Sequence, residues 1–385
     1  MIPYGKHYID SDDIAAVTDV LRKGMLTQGP LVELFEDKIA KYVGAKYAVA
    51  VSSGTAALHL AAIVAGIGPG DLLVTSPITF VASANASHFQ GGKVQFADIN
   101  AETLNISVDA LEESLKKYKN VKAIMPVHFG GLPCDMEPIK ALADRVGAVL
   151  IEDAAHALGA SYPDGSRVGS CKNSLMTTFS FHPVKAIASG EGGMITTNNY
   201  DVYRRLLRLR SHGINKLDDP LILEEKLPWY YEMQELGFNY RITDIQSALG
   251  LSQASKLDSF ISRRRELAMR YDQLLFDCTY IQPAQKIHRE LSAHHLYVLR
   301  IDFDALGMSR TLFIEELANQ GIGSQVHYIP VFKHPYYFNQ GYDESLFPNA
   351  IKYYQQGLSI PLFYELTEND QQKVVRVIKS LDTKA

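Results

Sequence analysis

One lysine in this 385-residue chain stands where its amine could do chemistry. The run Thr177-Thr178-Phe179-Ser180-Phe181-His182-Pro183-Val184-Lys185 leads directly into Ala186-Ile187-Ala188-Ser189-Gly190-Glu191-Gly192-Gly193 and then Met194-Ile195-Thr196-Thr197. Two β-rich stretches, 174–181 and 193–197, enclose a turn punctuated by Pro183 and Gly190, so the spacing predicts Lys185 on a strand-flanked loop. A lysine attacks a carbonyl only as the free amine, which requires partial desolvation or a cationic neighbour. Most lysines are solvated surface charges. An imine-forming lysine therefore needs company from elsewhere in the chain: an acid, a cup for an anion and a flat apolar face.

Several segments could supply these. Ala148-Val149-Leu150-Ile151-Glu152 reads as a buried strand with Asp153 at its carboxyl end, where a carboxylate is costly unless a cation, a strong donor or backbone amides meet it. His156 reads as a satisfied polar residue rather than a metal ligand, because no second ligand stands at i+4 and neither HExxH nor an EF-hand pattern occurs. No metal is expected. Ser53-Gly54-Thr55 turns a strand into a helix, which makes either a phosphate cup of free N–H groups or simply a good helix cap. Phe80 offers either a core side chain or a stacking face. The loop Gly24 to Pro30, which includes Thr27, either connects two helices or lines a pocket.

The elements that must position these residues alternate. Helices are predicted from Asp10 to Lys23 and from Leu31 to Val43, followed by a strand at Tyr47–Ser52 and a helix to Val64. Strands at 71–75, 93–98, 121–127 and 148–152 alternate with helices beginning near Ser76–Ser83 and spanning 108–117 and 136–146. Continuous apolar strands in this order imply an α/β fold with a mainly parallel sheet between helices, whose ligands bind beyond the strand carboxyl ends. Arg204, Arg205, Arg208 and Arg210 mark a basic helix read as solvated or partner-facing, and 218–235 reads as irregular and mobile. Thr243-Asp244-Ile245-Gln246 is a capping box opening a helix towards Asp258. A strand at 297–302, a helix at 309–319 and the loop Gln325-Val326-His327-Tyr328-Ile329-Pro330 belong to a smaller carboxyl-terminal α/β domain, placed at 251–385 after a large domain at 1–250.

The whole chain sets limits. Hydrophobic residues at 46% and charged residues at 21% describe a globular protein with an ample core. A formal charge of -5 gives no basic field for nucleic acid or an anionic membrane surface. The amino terminus lacks a signal-peptide pattern, and the most apolar stretch, Ala56 to Ile67, contains His59 and is too short to span a bilayer, so a cytoplasmic protein is expected. Cys134, Cys171 and Cys278 lack metal-type spacing and read as reduced, non-catalytic thiols.

With these segments in view, the chain resembles the DegT/DnrJ/EryC1/StrS sugar aminotransferases, which are fold-type I enzymes dependent on pyridoxal 5'-phosphate. Six ordered blocks carry the resemblance: Ser52 to Leu58, Thr79 to Ala82, Glu152 to His156, Ser180 to Lys185, Gly190 to Gly193 and Asn239 to Gln246. It implies Lys185 as the imine-forming lysine and Asp153 as partner of the pyridinium nitrogen. It further implies Gly54, Thr55 and Ser180 at the cofactor phosphate, Phe80 on the ring face and His156 near the phenolic oxygen. Asn239 is implied as a phosphate contact reaching across a homodimer. The implied reaction is a ping-pong transfer through the pyridoxamine phosphate form, from L-glutamate to a keto-sugar on a nucleoside diphosphate. Ser180-Phe181-His182-Pro183-Val184-Lys185 and the stretch His327 to Tyr337 look most like members that aminate C4 of UDP-4-keto-6-deoxy-N-acetyl-L-altrosamine in pseudaminic acid biosynthesis. Other UDP- or dTDP-keto-sugars are the alternative; a sugar dehydratase relative would tend to carry histidine where Lys185 stands, and a scaffold would not need lysine, acid and cup together. Many relatives place a histidine where this chain has Phe332, a departure that bears on sugar contacts in that loop. Tyr4, Thr27, Gln325, His327 and Tyr328 are the implied sugar-nucleotide contacts.

Overall fold

The computed structural model describes residues 1–215 and 228–382. The helix α1 (Ser11–Lys23) opens on a capping box made by Asp10 and Asp13, and α2 (Pro30–Val43) ends at Gly44 in the left-handed region. Strand β1 (Tyr47–Val51) then runs into α3 (Gly54–Val64), whose cap is Ser53. Alternation continues through β2 (Leu72–Thr75), α4 (Val81–His88), β3 (Lys93–Phe96), α5 (Val108–Lys117), β4 (Val121–Met125), α6 (Met136–Val146) and β5 (Val149–Asp153). Strands β6 (Met176–Ser180) and β7 (Gly193–Thr197) flank the lysine turn and pair antiparallel.

The seven strands lie in the order β1-β7-β6-β5-β4-β2-β3, and only β7 runs against the others. The expected α/β architecture with a mainly parallel sheet is present. One face of the sheet packs on α2 and α6 through Phe35, Ile39, Ile139 and Phe179, and the other on α3 through Leu58, Leu60 and Ile195. Both sheet edges are covered by side chains. On β1, the Glu36 carboxylate accepts the Ala50 N–H at 2.7 Å while Arg210 donates to the Ala50 carbonyl at 2.8 Å. On β3, Tyr342 donates to the Val94 carbonyl at 2.7 Å. Such capping blocks edge-to-edge pairing with another chain.

Helix α7 (Tyr200–Leu209) follows, then β8 (Ile214–Asn215) paired with β9 (Glu232–Met233). Two expectations change here. Arg210 is no surface charge: it is ion-paired with Glu36, a partner 174 residues away that local sequence cannot supply. Residues 232–233, expected to be irregular, form a strand; the part of that expectation on 218–227 falls outside the described residues.

Helix α8 (Asp244–Ser255) begins with the expected Thr243–Gln246 capping box. Gly250 lets it lie against α2, since a Cβ there would stand 2.6 Å from the Phe35 ring. The long helix α9 (Leu257–Leu274) leads to a three-stranded antiparallel sheet of β10 (Ile281–Pro283), β11 (Tyr297–Ile301) and β12 (Gly357–Ile360). This sheet has its own core with α9, α10 (Arg310–Asn319) and α13 (Glu368–Asp382), built on Leu267, Tyr271, Phe313 and Ile378. A further cluster joins the two sheets: Phe96 and Phe129 meet Leu296, Val298 and Phe332, beside α11 (Pro335–Phe338) and α12 (Pro348–Gln356). Among the described residues, no helix is long and apolar enough to cross a membrane.

Candidate active site

The carboxyl ends of β5 and β6, the start of α3 and the Gln325–Ile329 loop enclose a cavity of about 790 Å³. Lys185, Asp153, Gly54, Thr55, Phe80, His156 and Ser180 all line it, and so do Tyr4, Gln325, His327 and Tyr328. Thr27 and Asn239 do not line it; both are exposed.

Lys185 sits in the turn after β6, where its backbone N–H bonds the His182 carbonyl at 2.9 Å. Its side chain borders the cavity but is otherwise enclosed. Burial pulls the amine down to about 8, against the opposing attraction of Asp153. Asp153 is buried at the end of β5, where Ser83 donates to Oδ2 at 2.6 Å and the Ala155 N–H to Oδ1 at 3.1 Å. Both kinds of neutral partner that the sequence allowed are there. Among the described residues no cation pairs with Asp153 within 4 Å, and its carboxyl lines the cavity.

Opposite the acid, α3 begins at Gly54. The Ser53 hydroxyl takes the Ala56 N–H, and the first N–H groups of a helix, here on Gly54 and Thr55, have no intrahelical acceptor. Gly54 is needed for close approach: a Cβ would lie 2.8 Å from Ser180 Cβ and 3.1 Å from its Oγ. Helix start, glycine and serine together form a cradle for an anion. Phe80, the residue before α4, is 58% exposed and therefore not a core aromatic; its face is open to the cavity.

Histidines close the floor. His156 accepts the Gly130 N–H on Nδ1 at 3.3 Å and meets the Tyr328 hydroxyl through Nε2 at 3.1 Å. Burial, then the nearby Lys185, holds its ring well below the ordinary histidine range. His327 bonds Ser359 Oγ at 2.8 Å, and the same two causes bring it down to about 3. Tyr4 reaches this wall on the amino-terminal strap, with its ring 5.4 Å from that of His327. Gln325 is fixed by backbone pairing with Ser359.

Sequence reading missed three residues. Ser83 reaches Asp153 from α4, a helix packed on β2 and β3 and 70 residues away in sequence. His295 lines the cavity with its ring 4.3 Å from His156, and its one local signal is the pair His294-His295 just before β11. His334 lines the rim, whereas Phe332, two residues earlier, is buried against Phe347. The three cysteines are free thiols, as expected, and all are buried. Among the described residues no cluster of histidine, cysteine and carboxylate could hold a metal ion.

This arrangement of lysine, acid and anion cradle can be set beside known proteins. The profile of the DegT/DnrJ/EryC1/StrS aminotransferase family matches residues 7–379. The chain belongs to that family. The spore coat polysaccharide biosynthesis protein SpsC of Bacillus subtilis is 41% identical to this aminotransferase over 99% of this chain and 97% of its own. The UDP-4-amino-4,6-dideoxy-N-acetyl-beta-L-altrosamine transaminase of Campylobacter jejuni is 37% identical over the same shares. Among solved structures, Helicobacter pylori PseC, an aminotransferase involved in the biosynthesis of pseudoaminic acid, superposes with a TM-score of 0.90 at 30% identity and covers 100% of both chains. The PLP form of Spr1654 from Streptococcus pneumoniae gives 0.88 at 29%, covering 100% of this chain and 99% of the other.

Proposed function

We propose that this sugar aminotransferase moves an amino group from L-glutamate to C4 of a UDP-linked 4-keto-6-deoxy sugar, namely UDP-4-keto-6-deoxy-N-acetyl-L-altrosamine. The observation that carries the chemistry is Lys185, a buried amine pulled down to about 8 in the same cavity as the Asp153 carboxyl and an open helix start. The cavity fits pyridoxal phosphate. Lys185 would hold its aldehyde carbon and Asp153 its ring nitrogen, with Phe80 on the ring face. Gly54, Thr55 and Ser180 would hold its phosphate, and His156 would stand near its phenolic oxygen. When bound, the cofactor supplies an electron sink for the carbon that loses a proton. Lys185 Nζ takes that proton and returns it, a role suited to an amine titrating near 8. Asp153, buried at the end of β5 and lining the cavity, would hold a proton on the ring nitrogen. Tyr4, Gln325, His327 and Tyr328 form the wall against which the sugar is oriented.

Thr27 and Asn239 fit a different part of the same reading. Thr27 pairs with Thr243, the Asp244 N–H bonds the Leu26 carbonyl, and Asn239 pairs with Ser211, so both are held on joined segments outside their own cavity. Met25, Leu26, Tyr231 and Leu236 are exposed on these segments. A symmetric dimer would bury them and carry Asn239 to the phosphate cradle of the second copy.

For the sugar, support comes from the Campylobacter transaminase and PseC, together with the stretch from His327 to Tyr337. The greater identity to SpsC favours a second reading, a different keto-sugar nucleotide destined for a polysaccharide. Mass spectrometry of products formed from glutamate and a panel of UDP- and dTDP-keto-sugars separates the two. Amination of the altrosamine precursor above all others supports the first, and preference for a dTDP sugar rejects it.

A further inference from the structure

Asp153 has a second carboxylate at its back. Glu152, the preceding residue of β5, is 1% exposed and does not line the cavity. Its Oε1 accepts from Ser174 Oγ at 2.5 Å and from Thr177 Oγ1 at 3.2 Å; its Oε2 accepts from His128 Nε2 at 2.8 Å and from the Tyr162 hydroxyl. The His128 tautomer follows from its other nitrogen, which accepts the Cys134 N–H at 2.9 Å. Nδ1 is therefore bare, Nε2 carries the proton, and the ring is neutral.

The remaining titratable neighbours are neutral as well. Burial, then the charge of Glu152, pushes the Tyr162 phenol and the Cys134 and Cys171 thiols up, away from their ionised forms. Burial also pushes the Glu152 carboxyl up, but the His128 N–H, through its hydrogen bond and its electrostatic attraction, and then the donors from Ser174 and Tyr162 outweigh it and hold the group below the usual carboxylate range. Among the described residues His128 is its one ion-pair-range partner. Glu152 is thus a buried charge held by neutral donors, an arrangement that is costly without a cation nearby.

Such a cation has one natural place. Successive strand residues point to opposite faces, which sets the two carboxylates on opposite sides of the sheet. The same network fastens the strand end, since the His128 N–H bonds the Asp153 carbonyl and the Asp153 N–H bonds the Pro126 carbonyl, both at 3.0 Å. We propose that Glu152 is a positioning residue whose uncompensated charge, acting with that of Asp153, favours the protonated ring nitrogen of the bound cofactor. This rests on the cofactor placement proposed above. At a separation on the order of 10 to 12 Å from the ring nitrogen and an effective dielectric near 20, a unit charge changes a proton's affinity by roughly 10- to 20-fold.

The test is equilibrium dialysis of wild-type and Glu152→Gln apoenzyme with pyridoxal phosphate and with its analogue carrying C–H in place of the ring nitrogen. The Kd for pyridoxal phosphate should rise about tenfold in the variant while that for the analogue stays within twofold. Asp153→Asn serves as the reference and should lose the same discrimination. Equal weakening for both compounds, or for neither, overturns the proposal and leaves the functional reading intact. Failure of the wild type to bind pyridoxal phosphate at all overturns both. If Glu152→Gln does not fold, the double variant Glu152→Met/His128→Leu removes the charge together with its imidazole donor, and the same ratio of affinities decides.

Discussion

The lowered amine of Lys185 makes a prediction that can be worked through in numbers. At pH 7 an amine titrating at about 8 is neutral in about one molecule in eleven, whereas one at its ordinary value of 10.5 is neutral in about one in three thousand. The difference is about 300-fold in nucleophile, or about 3.4 kcal/mol. The perturbation is pH, applied to apoenzyme treated with pyridoxal lacking its phosphate and with cyanoborohydride, then quenched over time. Peptide mass spectrometry reads labelling at Lys185 against Lys41, whose side chain is 80% exposed. Taking the ratio cancels the pH dependence of imine chemistry itself. It should be high and level below pH 8, then fall by about two orders of magnitude towards pH 10.5, because Lys185 is by then fully the free amine and gains no more. In Asp153→Asn the fall should begin at lower pH, because the acid's attraction opposes the effect of burial. A ratio that stays constant across this range would refute the desolvation argument.

Three further outcomes are expected. Asp153→Asn should lower turnover by about 100-fold or more with the thermal transition nearly unchanged, because Ser83 and the Ala155 N–H can still bond an amide; circular dichroism and a coupled glutamate assay check both halves. Gly54→Ala drives a methyl to 2.8 Å from Ser180 Cβ, which should cost about 1–3 kcal/mol in denaturant unfolding and weaken cofactor binding, and Ser180→Gly in the same chain should recover most of it. His327, held at about 3 in the fold against 6.5 when unfolded, adds stability that is complete above pH 6.5 and is lost as pH falls towards 3. Between pH 7 and pH 5 that loss is about 2 kcal/mol, so urea midpoints of His327→Asn should fall less over this interval than those of the wild type.

What the sequence made legible was what is written locally. Strand, turn and helix succeed one another at Val51 to Ala56, and at β5 a run of apolar residues ends on an acid, so Gly54 and Asp153 could be placed at strand ends without knowing the sheet order. Contacts made across long sequence intervals were not legible. Ser83 is 70 residues from Asp153, Arg210 is 174 from Glu36, and His295 reaches His156 only through the docking of the small sheet. Composition actively misled at Arg210, where a basic helix reads as a wet surface although its last arginine caps the edge strand. Glu152 was visible as a letter in a motif, but its meaning depends on four donors from three separate segments.

Phe332 shows how a departure from a family pattern can be read physically. Its ring stacks on that of Phe347 at 4.9 Å and meets Phe96 edge-on at 6.1 Å, inside the cluster joining the two sheets. A histidine at this position would bury two ring nitrogens among aromatic carbons, and with neither bonded it would cost about 1–3 kcal/mol. Lys333, the next residue, is drawn outwards to Glu344 at 2.6 Å. The polar groups this loop presents to the cavity are therefore Gln325, His327 and Tyr328 before the turn and His334 after it, with nothing ionic between. A loop of that kind selects through hydrogen bonds and shape, so affinity for the sugar half of the substrate should change little between low and moderate salt. A steep loss of keto-sugar affinity with salt, at unchanged glutamate kinetics, would mean that a cation outside this loop governs recognition.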